Sequence, residues 1–164
     1  VGSAGECVRC PRPAEGKGLI VIGVNGMRTM AELEARLLTR DAALTPVALA
    51  DELLDLCEQI LCHWLSHKQV VPTEAKVEGF RLLALHRQGC KGEPSFNACR
   101  ESCRELAYYY NLLHLEPEHP QITSRMAMAR AVAMHLCLFV GGKFEVPELG
   151  VDCCSSQALR AGAA

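Results

Sequence analysis

The sequence predicts an all-α fold: a bundle or short array of about five helices, preceded by an extended N-terminal segment. Three observations carry this. Between residues 28 and 142 apolar side chains recur at spacings of three and four, the period of a helix with one buried face. Helix-opening residues stand ahead of the periodic runs (Thr29, Thr45-Pro46, Thr73, Pro94-Ser95, Thr123-Ser124), and Gly or Pro closes most of them. One short stretch alone has strand character, Leu19 to Val24, and no second strand exists for it to pair with.

Residues 1–27 form an N-terminal extension. Val1 to Gly18 is rich in Gly and Pro, and LIVIGV, Leu19 to Val24, precedes Asn25-Gly26. Six such residues are expected to lie on the helices with one edge wet, because an exposed apolar edge invites aggregation; the alternative is a strand paired with a second copy or a partner. The helical domain follows, residues 28–142. Thr29-Met30-Ala31-Glu32 has the reciprocal capping pattern, hydroxyl to the N3 amide and carboxylate back to the cap amide. It opens a helix to about Asp41 with Leu33, Leu37 and Leu38 inward. Thr45-Pro46 opens the second, with proline at its preferred first position. Its stripe of Val47, Ala50, Leu53, Leu54, Cys57, Ile60, Leu61, Trp64 and Leu65 ends near Lys68. Thr73 caps a third helix to about Gln88, with Val77, Phe80, Leu83 and Ala84 inward and Gly89 as its C-terminal cap.

The fourth, Ser95 to Leu115, is the longest uninterrupted pattern. Phe96, Cys99, Cys103, Leu106, Tyr110 and Leu113 line one face, and Tyr108, Tyr109 and Tyr110 sit together in its second half. A fifth, Ala/Met-rich helix runs from Thr123 or Ser124 to Gly141-Gly142. Residues 143–164 read as a tail, extended by Pro147 and disordered beyond. No fixed-period repeat supports a solenoid.

A 164-residue chain that is 49% hydrophobic suits a single core. Its net charge of -2 gives no bulk attraction to nucleic acid or an anionic membrane. Met126 to Val140 comes nearest to a membrane span, but it is short of the roughly 18 residues required and contains Arg130 and His135. The ten cysteines fit reduced thiols used as small core residues, since Cys57, Cys62, Cys99, Cys103 and Cys137 lie inside helical patterns. Cys99 and Cys103, one turn apart, are ill-placed for a disulfide. The expected home is therefore a reducing, intracellular one, cytoplasmic or nuclear.

Chemistry-bearing motifs are sparse. Cys7-Val8-Arg9-Cys10 is half of a zinc site and lacks a second pair at standard spacing. His63 and His67 share a helix face, but Trp64 stands where a metalloprotease needs its glutamate. Nucleophilic cysteine chemistry needs a thiol, a nearby histidine and a third orienting group; Cys90 with His86 is one such pair by count alone, and nothing singles it out. Nucleophile-elbow and Walker A motifs are absent. Three consecutive tyrosines span most of a helix circumference, so at least one faces outward, where tyrosine often serves an interface.

These readings point to a non-enzymatic helical interaction module, a scaffold or adaptor piece of a larger protein. Its expected partner is an apolar helix or peptide, or a second copy of itself as a dimer. Tyr108, Tyr109, Met126 and Trp64 are the candidate partner-binding residues. The alternative is a zinc-binding or cysteine-dependent enzyme or sensor, with Cys7 and Cys10 as the metal ligands. The main reading needs no cofactor and no nucleic acid.

Overall fold

The computed structural model describes residues 27–153, and their helices run in the order α1 (Met30–Leu38), α2 (Pro46–His67), α3 (Arg81–Gly89), α4 (Arg100–Leu115) and α5 (Ile122–Glu145). A 3-10 turn, Pro94–Cys99, leads into α4. The fold is all-α; among the described residues no strand forms. Leu19 to Val24, Cys7, Cys10 and Cys154 lie outside the described residues.

The caps read from the sequence form as local chemistry requires. The Thr29 hydroxyl accepts the Glu32 amide at 3.2 Å while the Glu32 carboxylate takes the Thr29 amide at 2.7 Å. Those bonds to Thr29 hold the Glu32 carboxyl below its ordinary range. The Thr45 hydroxyl accepts the Ala48 amide, and Pro46 begins α2. The α1 stop is tertiary: Arg130 of α5 donates to the carbonyls of Leu37 and Thr39 at 3.3 and 2.8 Å. A cation is favoured at that helix end, and α1 stops at Leu38 rather than near Asp41. Leu38 itself points to water, 66% exposed, whereas Leu33 and Leu37 are buried.

The helix expected from Thr73 begins only at Arg81. Residues 77–80 form a two-residue hairpin turn instead. Val77 and Phe80 exchange both backbone bonds at 2.9 and 3.0 Å, and Glu78 and Gly79 have φ of 52° and 86°. Positive φ at both central positions is the type I′ geometry. The start of α3 then falls to Glu58 of α2, whose carboxylate accepts the Leu82 amide at 3.1 Å and pairs with Arg81 at 3.3 Å. Phe80 is consequently half-buried rather than inaccessible, as is Leu54.

Helix α2 packs against α3, α4 and α5, and α5 packs against α1, α2 and α4. Leu49, Leu53, Leu56, Ile60, Leu61 and Leu65 of α2 are each at most 1% exposed. With neighbours on several sides its apolar face is broader than one stripe. At its C-terminal end Trp64 stacks parallel on Phe96 (centroids 4.6 Å, 5°) and donates its indole N–H to the Gly89 carbonyl at 3.2 Å. Gly89 is the last residue of α3, not a left-handed cap. A Cβ there would stand 2.9 Å from both rings, so the stack is what requires glycine.

Helix α5 continues through Gly141-Gly142 to Glu145. Two glycines lower helix propensity without ending a helix whose neighbours hold it. At 24 residues α5 is long and apolar enough to cross a membrane by length and composition, which the shorter span read from the sequence was not. In this structure it packs on three other helices. The chain then turns over residues 147–152 rather than running extended.

Candidate functional site

Two surfaces carry exposed or half-exposed apolar groups in company. The first is the outer side of the α4–α5 pair. The short connection makes these helices antiparallel. The Ser102 hydroxyl and His135 Nδ1, 2.9 Å apart, fix their register. Seven residues along each helix, Tyr109 comes level with Met128. Tyr108 is 57% exposed, Met128 48% and Leu138 56%. Ala127, Ala131 and His135 are exposed beside them. Tyr108 and Tyr109 meet edge to face at 5.5 Å.

Tyr110, on the far side of the helix, packs on Phe80 and His114. Burial and the adjacent Asp51 carboxylate raise its phenol. His114 in turn bonds Asp51 at 3.0 Å, joining α4 to α2.

The second surface is a cleft of about 340 Å³ where α2 and α5 end, lined by Trp64, His67, Phe144 and Pro147 with Lys68, Glu93 and Lys143. His67 meets Phe144 edge-on at 5.1 Å, and Phe144 lies 6.0 Å from Trp64. The Lys143 side chain is wholly buried, and its ammonium donates to Ser95 Oγ at 2.7 Å, to Glu93 Oε1 at 3.4 Å and to the Pro147 carbonyl. Three acceptors match three N–H donors. The Ser95 hydroxyl, more than the Lys143 ammonium, holds the Glu93 carboxyl below its usual range.

The four residues read from the sequence as partner-binding therefore fall in different settings. Tyr108 is exposed and Tyr109 half-buried on the α4–α5 surface. Met126 is half-buried and packed against the core. Trp64 is 4% exposed, one face covered by Phe96, so it forms the floor of the second cleft rather than a free contact. Leu138 and Met128 belong with Tyr108 on the first surface. The missed signal was α5 itself, apolar around its circumference where a half-buried helix has one polar face.

His63 Nε2 lies 2.6 Å from the Arg28 carbonyl, and His67 is held by aromatic contacts. Among the described residues no group of three His, Cys, Asp or Glu side chains could hold a metal. Cys90 Sγ lies 3.4 Å from His86 Nε2, so the pair counted from the sequence does meet. Burial pushes the Cys90 thiol up to about 12. An attacking thiol needs instead a lowered pKa. Ser102 and His135 also touch, but among the described residues no carboxylate bonds the imidazole.

Cys57, Cys62, Cys99, Cys103 and Cys137 are buried and unbridged. Burial raises Cys57, Cys62 and Cys137, the last to about 11; Cys99 is raised first by its Cys103 neighbour and then by burial. A thiol whose folded pKa lies above its unfolded value of 9.0 stabilises the fold fully below that value. That contribution is lost as pH rises through 9 toward the folded value. The expected result is a flat unfolding midpoint from pH 7 to about 8.5 and a steady fall above it. Alkylation of these thiols in native protein should wait for denaturation. A midpoint unchanged to pH 11, or rapid native alkylation at pH 8, would contradict the burial.

No family model, no curated protein and no solved structure matches this chain.

Proposed function

We propose that this domain is a helical interaction module whose docking face is the outer side of α4 and α5. Its occupant is the apolar face of a partner helix. One observation carries the reading: α5, packed on α1, α2 and α4, still presents Ala127, Met128, Ala131 and Leu138 to water. An apolar helix surface left in water is unfavourable in proportion to its area, and such patches mark interaction sites. The strip covers twelve residues, about 18 Å of helix at 1.5 Å per residue, the length of one partner stripe of a little over three turns. Tyr108 and Tyr109 widen it with rigid amphipathic rings that suit an interface. The unbridged buried thiols favour a reducing compartment for the module.

The test uses a photoreactive benzophenone amino acid placed at Ala131, with the same group at exposed Arg40 as control. Crosslinked species are expected from position 131 and not from 40, and Leu138→Glu should abolish them while helix content is retained. A crosslinked mass of twice the chain would identify a second copy as the occupant. Equal yields from both positions, or yields indifferent to Leu138→Glu, would sink the proposal.

A further inference from the structure

The chain beyond α5 returns over the end of the bundle, and its seat is built by residues far apart in sequence. Three observations describe that seat. Leu149 lies on Gly142, where a Cβ would stand 2.8 Å from its Cδ2. Gly150, at φ 89°, passes so close to the 3-10 turn that a Cβ would stand 2.7 Å from the Ser95 carbonyl oxygen and 3.0 Å from the Phe139 ring. Lys143, wholly buried, donates to the Pro147 carbonyl while also holding Ser95 and Glu93. Glycines at both close approaches and a buried ammonium between them make this a fitted contact.

The segment's apolar side chains are only partly covered. Val146, Leu149 and Val151 are 51%, 37% and 53% exposed. The amides of Leu149 and Val151 donate within the segment, to the carbonyls of Val146 and Glu148. Closing it takes the Lys143 ammonium out of water, which is costly and is offset only by well-placed acceptors. Opening returns that ammonium to water and leaves Glu93 and Ser95 beside it. Elements with few buried apolar contacts open at free energies well below global unfolding. What this one covers is the edge of the aromatic cluster of Trp64, Phe96, Phe139 and Phe144, and Pro147 is one wall of the cleft there.

We propose that residues 146–151 are a strap that opens independently of the bundle, uncovering the Trp64–Phe144 cleft, and that Lys143 is its latch. The strap is a conformational device separate from the α4–α5 face, and its test does not depend on that face binding anything.

Trp64 is the single tryptophan of the chain, so it reports the cleft directly. Hydrogen exchange and acrylamide quenching are measured on the full chain, unaltered and as Leu149→Asp and Lys143→Met. In the unaltered chain the Leu149 and Val151 amides are expected to exchange at least about a hundredfold faster than those of Ile60 and Leu61. Leu149→Asp should speed strap exchange about tenfold and raise Trp64 quenching about twofold, with the α2 and α4 amides unmoved. Lys143→Met should speed strap exchange in the same way. Independent opening is overturned if Leu149→Asp speeds α2 and α4 exchange in parallel or unfolds the chain. Coverage of the cleft is overturned if Trp64 quenching does not change. The latch is overturned if Lys143→Met leaves strap exchange as it was.

Discussion

Replacing Phe96 with alanine is expected to lower stability by about 3–5 kcal/mol, the range for truncating a buried aromatic. Phe96 is 0% exposed and is the centre of the aromatic cluster. Trp64 stacks on one of its faces at 4.6 Å, and His86 and Phe139 approach at 5.8 and 5.9 Å. Geometry of that kind adds about 0.5–1.5 kcal/mol per aromatic pair beyond area burial. The surroundings also resist collapse into the void. Gly89 already touches both rings, and the Trp64 indole is tethered to the Gly89 carbonyl. The cost should therefore fall in the upper part of the range. Denaturant unfolding followed by Trp64 emission and by far-UV dichroism checks it. The two probes should give one midpoint, displaced to lower denaturant with an unchanged slope. A loss under about 1 kcal/mol would mean the 3-10 turn rearranges to fill the space.

The fold was legible wherever a local chemical signal coincided with helical periodicity. Thr29 with Glu32, and Thr45 with Pro46, carry their helix starts within four residues, and both helices begin there. The third start was not legible, because Thr73 imitates a cap while the real one is a carboxylate on another helix. Glu58 is 24 residues from the Leu82 amide it caps, and no window around Leu82 contains it. Glu78 adds to the difficulty, since a non-glycine residue at positive φ is uncommon. Gly141-Gly142 misled in the opposite sense. Gly142 makes room for Leu149, whose Cδ2 a Cβ there would meet at 2.8 Å, and tertiary packing overrides the low propensity of the pair.

For the candidate sites the limit was similar. Three consecutive tyrosines on a helix force one outward by geometry, and Tyr108 is the one. Trp64 looked like an interface residue by type, yet its stack with Phe96 depends on a glycine and a 3-10 turn from two other segments. The partnership of Lys143 with Glu93, Ser95 and Pro147 joins positions about fifty residues apart at its widest. A buried lysine leaves no trace in periodicity, because its charge places it on the polar side of any helical wheel.

Leu61→Ala is expected to cost about 2–5 kcal/mol, the span for a leucine truncated in a close-packed interior. The mechanism has two parts: lost transfer of the removed carbons out of water, and a cavity whose lining loses its contacts. The second part decides where in the range the value falls. Leu61 is 0% exposed on α2, the helix that α3, α4 and α5 all pack against. Three helices cannot close on one void without disturbing their other contacts. A value above about 3 kcal/mol is expected on that ground. Leu38→Ala is the matched control. The chemistry is identical, but Leu38 is 66% exposed on α1, so its effect should stay within about 0.5 kcal/mol. Equilibrium denaturation of both variants under one set of conditions gives the comparison. A loss below about 1 kcal/mol at Leu61 would place α2 at the surface or show that the bundle relaxes around it. A loss of comparable size at Leu38 would mean that side chain is covered in solution by something outside residues 27–153.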